Sequence, residues 1–257
     1  MKDGGRRIAT SRGAMLVDPA GLGLGPGAGL DAAGEMLFEP DYWAARGELV
    51  AVSGGRGAAW FLEDASHRWV LRRYRRGGSV ARLLGERYLW TGEARVRAFA
   101  EFRLLAGLIG RGLPVPKPIA ARYQRSGMVY RCDLITQRIA DAQPLSAMLA
   151  SCALNDAGWR AIGATIARLH QGGVDHADLN AHNILIGARG EVSVIDFDRG
   201  RLREGARERS AWTERNLRRL RRSLAKIARD LPPGRFSAEA WACLLAGYGS
   251  FGGQESV

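Results

Sequence analysis

The sequence predicts an α+β fold of two lobes, a small antiparallel β-sheet lobe carrying one helix followed by a mainly helical lobe. Two observations predict it. Short apolar runs separated by Gly and turn residues fill the first half, and apolar residues at spacings of three and four dominate the second. The 257 residues are 46% hydrophobic and 25% charged, which is enough apolar matter for genuine cores.

Taken in order, residues 1 to 35 read as a flexible Gly-rich leader. Gly21 to Gly29 shows neither helix nor strand period, and no strand precedes it to make a dinucleotide fingerprint. Order is expected from Phe38. Short strands are expected at Glu48–Ala51, Ala58–Leu62 and Trp69–Tyr74, the first two joined through Ser53-Gly54-Gly55-Arg56-Gly57. A helix follows over Val96–Ile109, with Phe99, Phe102, Leu105 and Ile109 on one face, and Gly112-Leu113-Pro114 stops it. Strands at Ile119–Tyr123 and Met128–Thr136 complete a five-stranded first lobe, residues 36 to 138.

The second lobe, 139 to 257, opens with a helix capped by Asp156, its stripe Trp159, Ile162, Ile166 and Leu169. A polar loop from Val174 to Asn183 leads into a β-hairpin, and two helices over Ser210–Arg229 and Ser237–Tyr248 end the chain.

The net charge of +12 favours anionic partners: nucleotides, phosphorylated sugars, nucleic acid or an anionic membrane surface. No nucleic-acid motif accompanies the charge, so nucleic acid is not expected as a partner, and no obligate protein partner is evident. Cys132, Cys152 and Cys243 are scattered, which argues against a disulfide framework and a zinc site. Without a long apolar run or a signal-like start, the reading is cytoplasmic, with contact at a membrane surface allowed.

Chemistry concentrates in His176-Ala177-Asp178-Leu179-Asn180-Ala181-His182-Asn183, followed after the hairpin by Asp196-Phe197-Asp198. Phosphoryl transfer needs a carboxylate at the acceptor hydroxyl, which Asp178 can be. It also needs hard oxygen ligands for Mg²⁺, which Asn183 and Asp196 can supply. His176 is a candidate either for bracing the loop or for proton transfer. Gly54, Gly55, Arg56 and Gly57 could let a backbone approach phosphates. Glu101 lies on the first-lobe helix, with Glu93 competing for any special role. Arg72 and Arg73 sit side by side on a strand and face opposite ways; the register favours Arg72 as the partner of Glu101. The Arg-dense stretch 201 to 229, with Arg218, Arg219, Arg221 and Arg222, reads either as a solvated amphipathic helix or as a phosphate- or lipid-facing surface.

Together these residues resemble the protein-kinase-like superfamily. The strings Tyr74-Arg75-Arg76-Gly77-Gly78 and Asp178-Leu179-Asn180-Ala181-His182-Asn183 are similar to those of the 3-deoxy-D-manno-octulosonic acid (Kdo) kinases, within the lipopolysaccharide core kinase group of Gram-negative bacteria. The resemblance runs from about Phe38 to Leu231. It implies transfer of the ATP γ-phosphate to a Kdo hydroxyl on a lipid A precursor, at the cytoplasmic face of the inner membrane. It further implies Asp178 as base, Mg²⁺ on Asn183 and Asp196, phosphates under Gly54 to Gly57, a cation of the third strand paired with Glu101, and adenine against Leu134 to Arg138. A kinase of the same fold for a heptose or an aminoglycoside is the alternative. The chain departs from the superfamily in offering Arg where Lys is usual, in ending the metal tripeptide with Asp198, and in lacking an Ala-Pro-Glu segment.

Overall fold

A computed structural model describes residues 5–24, 32–53, 59–75, 87–203 and 210–250. Gly54, Gly55, Arg56, Gly57 and Arg76 lie outside these. The chain divides into two compact units, Met1–Gly107 with Lys117–Arg138, and Leu108–Pro116 with Ile139–Val257.

The first unit is built on an eight-stranded antiparallel sheet. Its strands are β1 (Arg6–Thr10), β2 (Gly13–Val17), β3 (Leu49–Ser53), β4 (Ala59–Glu63), β5 (Arg68–Arg73), β6 (Tyr88–Leu89), β7 (Pro118–Ser126) and β8 (Val129–Gln137). The order is β1-β2-β7-β8-β5-β4-β3, with β6 also on β8. The sequence reading of 1 to 35 as a flexible leader is corrected for residues 5 to 24. There β1 and β2 form a hairpin, and β2 adds to β7 with Met15 opposite Arg122. The physical reason is burial: Ala14, Met15, Leu16 and Val17 are all buried. Gly13 permits the approach, since a Cβ there would lie 2.3 Å from the carbonyl oxygen of Tyr123. The lobe is therefore not five-stranded, as the sequence suggested.

The core of this unit joins Met15, Val17, Phe38, Trp43, Leu62, Trp69, Leu71, Ile119 and Ile135. Short helix α1 (Pro40–Ala45) begins on a proline, which suits the first helical turn, and seats Trp43 by an indole N–H bond to the Leu37 carbonyl. Helix α2 (Arg97–Ile109) buries Phe99, Phe102 and Leu105, as its spacing predicts, but leaves Ile109, expected on the same face, exposed at the helix end.

The second unit contains α3 (Leu145–Ser151), α4 (Asp156–Gln171), α5 (Ala211–Ala228) and α6 (Ala238–Ser250). The cap of α4 is Asn155 rather than Asp156: its side chain accepts from the Gly158 N–H, and Asp156 is the first helical residue. Trp159, Ile162, Ile166 and Leu169 are buried on one stripe. Helices α4 and α6 touch backbone to backbone. A Cβ on Gly163 would fall 1.9 Å from the Leu244 carbonyl oxygen, and one on Gly247 would fall 2.1 Å from that of Arg160. Strand β9 (Ala142–Pro144) pairs with hairpin β11 (Ile184–Gly187) and β12 (Val192–Val194), while β10 (Val174–Asp175) pairs with β13 (Arg201–Leu202). Among the described residues, no helix is long and apolar enough to cross a membrane.

Candidate active site

The loop between β10 and β11 is held from below by its buried residues. Leu179 and Ala181 are buried while Asp178 between them and the β10 strand is exposed. His176 fixes the turn. Its backbone N–H donates to Asn216 Oδ1 at 3.0 Å, and its Nε2–H donates to the Ile195 carbonyl at 2.9 Å. A carbonyl can only accept, so the proton is on Nε2, and Nδ1 accepts the Asp178 backbone N–H at 3.2 Å. Burial holds the imidazole below its ordinary pKa and therefore neutral. Both ring nitrogens are engaged by backbone groups, so His176 is a brace; it is not positioned to shuttle a proton.

Asn180 closes the loop as a small turn of its own. Its Oδ1 accepts from the backbone of His182 and Asn183 at 2.8 and 3.2 Å. Asn183 donates its side-chain N–H to the Asp178 carbonyl at 3.0 Å, which settles the amide's orientation and leaves Oδ1 as its acceptor end. The hairpin register sets Ile184 against Val194, and the Asn183 carbonyl accepts the Ile195 N–H at 2.9 Å. Asn183 and Asp196 thus end on neighbouring strands at one end of the hairpin. Asp196 has φ of 66°, a left-handed conformation that costs a non-glycine residue about 1 kcal/mol or more. Among the described residues, no cluster of three or more His, Cys, Asp or Glu side chains could hold a metal.

Helix α5 runs along this loop and is fastened to it at successive turns. Asn216, buried, takes the His176 N–H and donates to Asp175 Oδ1 at 3.0 Å. Arg219 donates to Asp178 Oδ1 at 3.0 Å, and Ser223 Oγ accepts the Ala181 N–H at 3.2 Å. Asp175 is a buried hub that also receives Arg203 at 2.8 Å and Arg215 at 3.3 Å. Burial alone would raise its pKa; the bonds from Arg203 and Asn216 and the charge of Arg215 outweigh that and hold it below the usual carboxylate range. Sequence reasoning missed Asp175, Asn216 and Ser223. Only the helical spacing of 216, 219 and 223 hinted at a shared face.

In the first unit, strand alternation separates the adjacent arginines. Arg72 pairs with Glu101, and both Arg72 and the Tyr74 hydroxyl donate to Glu101 Oε2. Burial first, and the Glu101 charge second, push the Tyr74 phenol well above its ordinary pKa. Arg73 turns to the other face, where it donates to Asp133 at 2.8 Å beside Arg122, which donates to the same carboxylate and to Glu39. Glu93, the competing acid, is occupied by Arg7 at 2.8 Å and by the Tyr123 hydroxyl. Gly54, Gly55, Arg56 and Gly57 lie outside the described residues.

The lipopolysaccharide kinase (Kdo/WaaP) family model matches residues 40–248, most of the chain. The chain belongs to that family. It is 50% identical over 198 residues to a 3-deoxy-D-manno-octulosonic acid kinase of Xanthomonas axonopodis pv. citri, covering 77% of this chain and 78% of the relative. A protein of the same description from Xanthomonas oryzae pv. oryzae matches equally, and one from Xylella fastidiosa is 49% identical over 191 residues, 74% of this chain and 75% of its own. The family's two-lobed, protein-kinase-like α+β class is the one expected from the sequence, and family members are phosphotransferases that use ATP.

Proposed function

We propose that this chain transfers the ATP γ-phosphoryl group to a hydroxyl of 3-deoxy-D-manno-octulosonic acid on a lipid A precursor. The relatives of this description, about half identical over three quarters of the chain, support the acceptor. The observation that carries the reaction is the loop geometry. Asp178 is exposed on a loop whose backbone is fixed from several sides, and the Ile195 N–H bonds the Asn183 carbonyl, so the backbone of Asn183 meets the residue before Asp196.

In this reading Asp178 orients the acceptor hydroxyl and takes its proton as the oxygen–phosphorus bond forms. His176 holds the backbone of Asp178 and Ile195 in place. Asn183 Oδ1 and the Asp196 carboxylate would hold Mg²⁺, which when bound neutralises charge on the phosphates. The donor set fits that ion, because few protein ligands are needed where phosphates and water supply the rest. Arg72, held by Glu101, would contact phosphate, Gly54 to Gly57 would cover it, and Leu134 to Arg138 would meet adenine. The net charge of +12 supports peripheral residence on an anionic membrane surface, at the cytoplasmic face where such an acceptor and ATP meet.

Mass spectrometry of a Kdo–lipid A acceptor incubated with the protein, ATP and Mg²⁺ tests the reading. One added phosphate is expected, lost with EDTA and with Asp178→Asn. No mass gain with the unaltered protein refutes the acceptor assignment.

A further inference from the structure

The sequence alone left the arginines of α5 between a solvated amphipathic face and a phosphate- or lipid-facing surface. The structure puts them in a narrower setting. Arg215, Arg218, Arg219 and Arg222 recur at i, i+3, i+4 and i+7, so they share one face of a helix that is bolted along the catalytic loop. Arg219 already reaches Asp178, at 3.0 Å. On the same helix, Arg215, Arg218, Arg221 and Arg222 line an open cavity of about 440 Å³, within the size range of small-molecule sites.

The charge balance of this face calls for a ligand. Like charges one helical turn apart disfavour the helix, by a few tenths of a kcal/mol per pair. The opposite face explains the fold without them: Thr213, Asn216, Leu220 and Leu224 are the buried residues. Among the described residues, no carboxylate forms an ion pair with Arg218, Arg221 or Arg222, and Arg221 instead stacks over Trp241 at 5.7 Å. Arg218 spends its Nε–H on the Glu214 backbone carbonyl at 3.4 Å.

We propose that Arg218 and Arg222, beside Arg219, form the site that binds the anionic group of the acceptor, its sugar carboxylate. The inference rests on the kinase reading above. Its geometry is simple: three residues of helix, a rise of about 4.5 Å, separate the Arg219 position at Asp178 from the Arg222 level. A pyranose ring spans that distance, so a hydroxyl presented to Asp178 sets a carboxylate on the far side of the ring against the arginines. The planar guanidinium fork suits a carboxylate in a bidentate mode, which a lysine would not reproduce. The site selects acidic sugars over neutral ones, because only an anion discharges the arginine face. A phosphate on the lipid portion has similar chemistry, and the test separates the two sources.

Steady-state kinetics on the full-length protein would use a short, lipid-free Kdo acceptor and its neutral carboxamide. Arg218→Gln/Arg222→Gln is expected to raise KM for the acidic acceptor at least tenfold, with KM for ATP within twofold of the parent. On the carboxamide, parent and variant should share the same high KM. A charge-matched control, Arg12→Gln/Arg131→Gln on the first unit, should leave the acidic acceptor's KM within twofold. Equal KM for parent and variant on the acidic acceptor overturns the proposal. So does a loss confined to acceptor embedded in anionic vesicles, which assigns the arginines to the lipid phosphates and the membrane surface. An equal loss in the control reduces the effect to the overall field. If the parent phosphorylates neither compound, the kinase reading has failed. Calorimetric titration with the acidic sugar then decides the site by itself, tenfold weaker binding in the variant supporting it and equal binding overturning it.

Discussion

Two of the arginine–carboxylate pairs, one in each unit, are opposites. In the first unit, Arg72 meets a Glu101 whose side chain is 2% exposed, and Tyr74 shares the same oxygen. In the second, Arg219 meets an Asp178 whose side chain is 59% exposed, and Arg219 itself is 44% exposed. The buried carboxylate receives donors from Arg72 and, two residues on, from Tyr74. The exposed one has its backbone fixed by His176 and Asn183 while its oxygens face water. In the proposed reaction this is the difference between a group that preorganises and a group that reacts. Positioning tolerates desolvation because the partner is permanent, whereas a base must meet a substrate that comes and goes.

The largest expected effect breaks the exposed pair. Asp178→Asn keeps shape and the bond from Arg219 but removes the basic oxygen. Turnover should fall about 10²- to 10⁴-fold with little change in the unfolding midpoint, as general-base losses do. Activity within a few-fold of the parent would mean that Asp178 is not the base. The buried pair should fail differently. Glu101→Ala takes away the acceptor shared by Arg72 and Tyr74, at a cost of about 2 to 4 kcal/mol of stability. Denaturant titration reads this as a lowered midpoint at unchanged slope. A midpoint like the parent's would show that the buried carboxylate stabilises nothing.

How legible each pair was in the sequence follows from what constrains it. The loop and hairpin that carry His176, Asp178, Asn183 and Asp196 were readable because a polar turn followed by short apolar strands is a local signal. Arg72 against Glu101 was readable as far as strand alternation goes, since Arg73 has to face the other way, where Asp133 receives it. Arg219 was not separable from Arg218, Arg221 and Arg222. All four look alike along the chain, and only the docking of α5 through Asn216 and Ser223 decides which reaches Asp178. Asp175 carries no local signal at all, because its partners Arg203, Arg215 and Asn216 come from distant segments. The β1–β2 hairpin was hidden by the Gly-rich run after it. Its alternation is short, and its burial depends on β7, which lies about a hundred residues onward.

A second buried group in the second unit extends the comparison to pH. His170 lies against Trp212 and Tyr248, with Nδ1 2.9 Å from the Tyr248 hydroxyl. Burial pushes its pKa from 6.5 down to about 4, the nearby Asn216 and Asp175 only partly opposing it. The unfolded chain therefore binds a proton between these values that the folded chain refuses. Stability from this group is fully present above pH 6.5 and is lost as pH falls towards 4, by roughly 3 kcal/mol at most. His170→Gln should flatten the fall in unfolding free energy between pH 6.5 and 4, relative to the parent. An identical pH slope in the variant would show that His170 charges freely in the fold.

The smallest effect on stability belongs to Arg219 and sharpens the comparison most. An exposed ion pair contributes little because water and salt solvate both partners well, so Arg219→Gln should change the unfolding free energy by less than about 1 kcal/mol. Its bond nevertheless fixes the direction of the Asp178 oxygens, and small misplacement of a reacting group is costly, so kcat should fall roughly tenfold. Arg219→Lys keeps the charge and should recover part of that loss, more at low ionic strength than at high, because the shorter, non-forked donor relies on attraction that salt screens. The decisive measurement is the pair of numbers for one variant. If Arg219→Gln lowers the unfolding midpoint as far as Glu101→Ala does while kcat stays at the parent's value, the two pairs are alike, and the exposed one is a structural clamp on α5. If kcat falls and the midpoint does not, exposure has marked the pair that works at the reacting atoms.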